Sequence, residues 1–179
     1  MAIGIALLMG FRLCLNFDSP YKAHNITDFW RRWHISLSSW LRDYIYIPLG
    51  GNRKGFVLQI VFLLITMLIG GFWHGADWKF IFWGGAHGLL LCFHKVFSIV
   101  IPRFFMNKFI RWLSWLFTFA CVAMLWVPFR ASSINDTWLI YTKIITHSNL
   151  QILPELFRVN VLLFSLLICG YLLAIMPEV

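Results

Sequence analysis

Four stretches of the chain are apolar over a length that could cross a bilayer, and the polar residues between them are bunched into short runs. Residues 56–73 carry no charged side chain, and residues 79–101, 109–129 and 159–176 have few polar interruptions. A transmembrane helix needs about 20 mostly apolar residues. The pattern therefore predicts helical spans over about 56–73, 79–101, 109–129 and 159–176. Residues 18–28 read as a loop, with Thr27 or Asp28 as N-cap candidates for the next helix. Over 28–46 the apolar spacing is helical. Trp30, Trp33, Leu37, Trp40, Leu41 and Tyr44 fall on one face, and Arg31, His34, Ser38 and Arg42 run along the other. That pattern predicts an amphipathic helix lying in the membrane interface. Pro48 and Gly50-Gly51 end it, and Asn52 to Gly55 make a polar turn.

The start of the chain does not fit a complete span. Met1 to Leu8 is apolar at once but too short, and Arg12 and Asn16 to Pro20 come next without a cleavage pattern. The expectation is a chain that begins inside a transmembrane helix, so that residues 1–179 form the C-terminal part of a single membrane domain whose N-terminal half is missing. The fold class expected is all-α, a polytopic transmembrane helical protein with an interfacial helix at 28–46.

Composition strengthens the membrane reading. The chain is 60% hydrophobic and 12% charged, with ten Trp and eighteen Phe, and no water-soluble surface can be built from that. The net charge of +8 would suit nucleic acid or a membrane surface, and the membrane is favoured because the Lys and Arg sit in short clusters between apolar runs rather than on a soluble basic face. Arg53-Lys54 and the loop 102–111 are two spans apart and both basic, which places them on the cytoplasmic side. The connection after residue 73 then faces outward. Cys14, Cys92, Cys121 and Cys169 are widely separated in apolar surroundings, with no metal or disulfide spacing.

The candidate chemistry is histidine chemistry. His74 ends an apolar run inside Gly70-Gly71-Phe72-Trp73-His74-Gly75. An imidazole in a bilayer is costly unless it is paired or faces a cavity. His34 stands on the polar side of the amphipathic helix, with Arg31, Arg32 and Arg42 available to hold a phosphate. His87 and His94 share a helix face. No carboxylate or cysteine stands at ligand spacing beside them, so no metal site is expected.

Two long blocks carry a resemblance. Phe29-Trp30-Arg31-Arg32-Trp33-His34-Ile35-Ser36-Leu37-Ser38, continued by Trp40 to Tyr44 and Ile47 to Asn52, resembles the membrane-bound O-acyltransferase family. So does Gly70 to Trp78, continued by Trp83-Gly84-Gly85-Ala86-His87-Gly88. Trp126 to Ala131 is similar to a later block of the bacterial branch that modifies alginate and teichoic acid. The resemblance implies a partial fold of that family in a bacterial cytoplasmic (inner) membrane, crossing it several times. It implies His74 and His34 as catalytic residues. Arg31, Ser38, Arg42, Trp73 and His87 become candidates to line a donor site or tunnel. It further implies acetyl-CoA or another acyl thioester as donor substrate, with no bound cofactor, and hydroxyls of an exported or cell-surface polysaccharide such as alginate as acceptor. The partners implied are the lipid bilayer, an extracytoplasmic acyltransferase and a polysaccharide export complex.

The alternative from another class is a non-catalytic transporter or export-complex subunit, which would also use intramembrane histidines. One geometric question bears on both. If 56–73 crosses a hydrocarbon core about 30 Å thick, a surface helix at 28–46 would leave His34 and His74 near opposite faces.

Overall fold

The computed structural model describes residues 2–100 and 107–146, and the expected span at 159–176 lies outside them, as do residues 101–106 of the basic loop. Every regular element among the described residues is helical. In order they are α1 (Ala2–Leu8), a 3-10 turn (Pro20–Lys22), α2 (Ile26–Arg32), α3 (Ile35–Leu41), a π-helical turn (Arg42–Tyr46), and α4 (Ile47–Leu49). After these come α5 (Phe56–His74), α6 (Trp78–Val100), α7 (Lys108–Arg130) and α8 (Ile134–Thr146). The chain divides into two compact units, Met1–Thr137 and Trp138–Val179. The candidate chemistry falls in the first. In the second, the described residues continue α8, where the Trp138 and Tyr141 rings meet at 5.9 Å.

Three helices, α5, α6 and α7, are long and apolar enough to cross a membrane. They fall on the first three of the four runs whose hydropathy predicts spans. Large apolar side chains such as Phe93, Phe109, Trp112 and Phe117 are exposed along them, as lipid-facing surfaces require. The protein is an all-α membrane protein.

α5 and α6 form a tight antiparallel hairpin turned at Gly75–Asp77. The turn needs Gly75, whose φ is 156° and against which the Phe80 ring lies. Where the two helices cross, Gly71 and Gly84 leave no room for a side chain on either. Small residues at such crossings let backbones pack by direct contact. α7 starts at Asn107, whose side chain accepts the Ile110 N–H at 2.8 Å. It ends on Lys79, whose Nζ donates to the Ala131 carbonyl at 2.6 Å, so the start of α6 is pinned to the end of α7.

The expected continuous helix over 28–46 is corrected to two short helices and a π turn. Its N-cap is Asn25, which accepts the Asp28 N–H at 2.8 Å, and not Thr27 or Asp28. The helix breaks at Trp33, which is extended, and at His34, whose φ is 44° and ψ 57°. Segment 16–18 satisfies the backbone groups that the break frees. The Asn16 carbonyl accepts the Ile35 N–H at 3.0 Å, and the Asp18 N–H donates to the Arg32 carbonyl at 2.9 Å. The Asn16 side chain accepts the Ser36 N–H at 3.0 Å.

The broken segment does not lie apart on a membrane surface. Phe29 is buried and stacks on His87 of α6 at 6.1 Å. Leu41 is buried against Gly70 of α5. Trp30 and Trp33 of the predicted aromatic face go into this packing, while Trp40 and Tyr44 stay exposed and stack on each other at 5.5 Å.

Candidate active site

His74 is the last residue of α5 and is half-buried in a box of aromatic rings. The ring centroids of Trp73, Phe129 and Trp83 stand 4.9, 5.0 and 5.2 Å from its own, and Phe80 stands at 6.3 Å. Three helices build the box. α5 brings Trp73, α6 brings Phe80 and Trp83, and α7 brings Phe129. The glycine crossing sets the height of His74 against Trp83, and the Lys79 clamp sets that of Phe129. Among the described residues no carboxylate orients this imidazole.

His34 reaches the same end of α5. Its ring lies 6.5 Å from Trp73 and 5.9 Å from Phe17. The two candidate histidines thus both contact one indole, and the separation across the bilayer expected from a surface helix is overturned. The physical reason is the packing of α2 and α3 onto the hairpin, which carries the break at His34 up to the end of α5. His34 also stores backbone strain. It holds a left-handed conformation that β-carbon-bearing residues adopt at a cost, and its Nδ1 is buried without a hydrogen-bond partner among the described residues. Strain of this kind concentrates at functional sites.

Arg31, Ser38 and Arg42 line one groove of about 530 Å3, running along α2, α3 and the first half of α5. Thr27, Ser39, Asn52 and Gln59 add polar groups, and Lys95 of α6 adds a third cation. Arg32, grouped with the phosphate-binding arginines by sequence, is not among the lining residues. Asp28 holds it at 3.0 Å and Asp18 at 3.8 Å. Arg42 is paired with its neighbour Asp43 at 2.7 and 3.1 Å. That hydrogen bond holds the exposed Asp43 carboxyl below the usual carboxylate range. Among the described residues Arg31 and Lys95 have no ion-pair partner, so they are the cations available to an anion. Three cations beside hydroxyls and amides suit a phosphate-bearing ligand.

His87 and Trp73 do not line that groove. His87 is 1% exposed, between Phe29, Trp30 and Trp83. Trp73 is 59% exposed and contacts both His34 and His74. His94, the helix-face partner of His87, is instead tied to Thr27 by a 2.9 Å hydrogen bond. No three His, Cys, Asp or Glu side chains converge as metal ligands among the described residues. Lys95, Trp83, Phe80 and Phe129 were not singled out by the sequence. For Lys95 the signal was present: His87, Leu91 and Lys95 recur every fourth residue on one face of α6.

A model of the family "MBOAT, membrane-bound O-acyltransferase family" matches residues 1–134, a stretch that holds both histidines, the groove and the aromatic box. The chain belongs to the membrane-bound O-acyltransferase family. It is 50% identical over 141 residues to "Probable alginate O-acetylase AlgI" of Azotobacter vinelandii, covering 79% of this chain and 28% of that protein. To "Peptidoglycan O-acetyltransferase" of Helicobacter pylori it is 50% identical over 136 residues, 76% of this chain and 26% of that protein. To "Teichoic acid D-alanyltransferase" of Bacillus subtilis it is 35% identical over 121 residues, 63% of this chain and 29% of that protein. This membrane-bound O-acyltransferase chain therefore spans under a third of the length of each of these three relatives.

Proposed function

We propose that the protein carrying this chain is a membrane O-acyltransferase. It moves an acyl group, acetyl in the first instance, from a thioester donor such as acetyl-CoA to hydroxyls of an exported or cell-surface polysaccharide of the alginate type. The observation that carries the reading is the half-buried His74 imidazole at the end of α5, with His34 against the same indole, Trp73. In the proposed reaction an acceptor hydroxyl oxygen attacks the thioester carbonyl carbon while His74 takes its proton. The carbon–sulfur bond breaks, and the leaving thiolate takes the proton from the imidazolium. The products are an ester and a free thiol. A positioned general base contributes about 10²–10⁴-fold. His34 holds a reactant or stabilises the charge that develops on oxygen.

The donor's phosphates sit in the groove of Arg31, Arg42 and Lys95, which also takes in Asn52, next to Arg53-Lys54, and the first half of α5. By the excess of positive charge this end faces the cytoplasm. His74 then faces the outer side of a bacterial inner membrane, where the acceptor and an extracytoplasmic acyltransferase or export complex would be met.

The test is His74→Ala in the full-length protein, with ester content of the polysaccharide read by NMR and protein level by immunoblot. The expected result is loss of O-acyl groups at normal protein level. Retained acylation would defeat the enzyme reading and favour a transporter or export subunit.

A further inference from the structure

A second cleft, of about 280 Å3, lies between α6 and α7 and shares no lining residue with the basic groove. Asn25 and Ile26, at the start of α2, form its third wall. Side-chain size makes it hollow. Ser114, Thr118 and Cys121 on α7 are short, whereas Leu90, Phe93 and Phe97 on α6 are long. Phe93, Phe97 and the α7 residue Phe117 are exposed, so the cleft opens to the surroundings of the two helices and not into a core. Its polar side chains are turned to protein partners. The Asn25 side chain accepts the Asp28 N–H at 2.8 Å, the Thr118 hydroxyl donates to the Ser114 carbonyl at 2.7 Å, and His94 Nδ1 is tied to Thr27 at 2.9 Å. What remains is a mainly hydrocarbon lining on two helices long and apolar enough to cross a membrane.

We infer that this cleft seats an acyl chain of an anionic phospholipid, drawn from the leaflet on the side of Lys108 and Arg111. Its depth suits one leaflet. The lining runs from Leu90 to Phe97 in the second half of α6 and from Ile110 to Cys121 in the first part of α7. These are the ends of the two helices that the chain joins to each other. Its length suits one chain. Ile110 to Cys121 is about 16 Å of helix rise, and half of a hydrocarbon core about 30 Å thick is about 15 Å. The charge at its mouth suits an anionic headgroup. Lys108 and Arg111 stand exposed in the first turn of α7 and have no ion-pair partner among the described residues. Between Asp77 and Asp136 the sequence has no Asp or Glu at all, so α6, α7 and their connection hold no acid to neutralise them. An excess of positive charge marks the cytoplasmic side, and basic pockets between spans on that side hold acidic lipid headgroups. A covering protein helix fits less well. Close helix packing in membranes favours small residues on both partners, and α6 presents Leu90, Phe93 and Phe97 here. The lipid seat does not depend on the acyl-transfer reading.

The experiment uses the full-length protein in detergent, titrated with dioleoylphosphatidylglycerol or dioleoylphosphatidylcholine and read by native mass spectrometry. The two lipids share their chains and differ in net charge. One phosphatidylglycerol should bind about tenfold more tightly than phosphatidylcholine. Arg111→Gln should weaken phosphatidylglycerol about fivefold and leave phosphatidylcholine unchanged. Ser114→Phe fills the hollow and should remove that bound lipid. A second measurement needs no substitution and so holds even where the Phe variant does not fold. Phosphatidylglycerol with a diazirine in one acyl chain is incorporated with the parent protein into nanodiscs and photolysed. The label should map by peptide mass spectrometry to residues 90–97 and 110–121. Labelling confined to other helices overturns the seat, and its absence from these two segments would mean that another part of the full-length protein closes the cleft. Equal affinity for the two lipids overturns the headgroup assignment, and a folded Ser114→Phe variant that binds like the parent overturns the cleft. His74→Ala should leave lipid binding and labelling intact, so loss of acyl transfer and loss of the lipid seat are read separately.

Discussion

Gly71 and Gly84 meet backbone to backbone where α5 crosses α6. A Cβ on Gly84 would stand 2.9 Å from the Gly71 Cα and run into the Met67 carbonyl oxygen, and one on Gly71 would run into the Phe80 carbonyl oxygen. His74 comes after Gly71 by less than one turn, and Trp83 directly precedes Gly84. The 5.2 Å contact between those two rings therefore depends on how closely the helices approach.

Gly71→Ala and Gly84→Ala should each drive the helices apart. Forcing a methyl into a packed interior costs about 1–3 kcal/mol, and misplacing a base by about 1 Å can cost about 10²-fold in rate. The expected outcome is a lower thermal midpoint in detergent together with a loss of transfer larger than the loss of folded protein. Gly4→Ala is the control, since nothing lies within 4 Å of a Cβ there. Wild-type midpoint and activity in Gly84→Ala would show that the crossing has slack.

How much of this was legible in sequence differs by element. The long helices were legible because crossing a bilayer is a demand on length and apolarity alone, and Phe56–His74 needs no knowledge of its neighbours. The break at His34 was not. Trp30 through Tyr44 keeps helical spacing, and what interrupts it is a set of hydrogen bonds from Asn16 and Asp18, far back in the chain. Local periodicity holds no trace of them.

The candidate site divides in the same way. His74 and His34 stand out because polar rings in apolar blocks are expensive, and their meeting at Trp73 results from the packing of Phe29 and Leu41. The three arginines looked equivalent in a row of basic residues. Asp28 stands four residues before Arg32 in the sequence, a spacing that forms helix ion pairs, and it removes Arg32 from the groove. Lys95 replaces it from a helix far later in the chain, a distance that only the hairpin closes.

His34 predicts a split between folding and activity. Its left-handed backbone suits Gly, is tolerated by Asn, and costs about 1–2 kcal/mol in residues with an ordinary Cβ. His34→Gly should match or exceed the parent in thermal midpoint and His34→Ala should not. Both substitutions should lower transfer at least about tenfold, because the imidazole is gone. Parental rates in His34→Gly would leave the residue with a backbone role only.

The groove predicts a contrast among neighbouring cations. Arg31→Gln and Lys95→Gln should raise KM for a phosphate-bearing donor with kcat unchanged, and added salt should shrink the difference. Arg32→Gln should leave KM alone and lower stability slightly, because it breaks the pair with Asp28 at 3.0 Å. Steady-state kinetics with acetyl-CoA at two salt concentrations separates them. A KM effect at Arg32 equal to that at Arg31 would place the anion elsewhere.

Asp43 supplies the opposite sign. Both its oxygens accept from the Arg42 guanidinium, so it competes with any anion for the donors that Arg42 brings to the groove. Asp43→Asn should therefore tighten donor binding, lowering KM about twofold to threefold, where Arg42→Gln raises it. The hydrogen bond from Arg42 depresses the Asp43 pKa. The pair's contribution to stability is thus fully present above the ordinary carboxylate pKa of about 4 and is lost only as pH falls through the depressed value. Between about pH 5 and 8 the competition is constant, and the ratio of KM values for parent and Asp43→Asn should be flat. A ratio that changes across that window would mean that a group other than Asp43 controls Arg42.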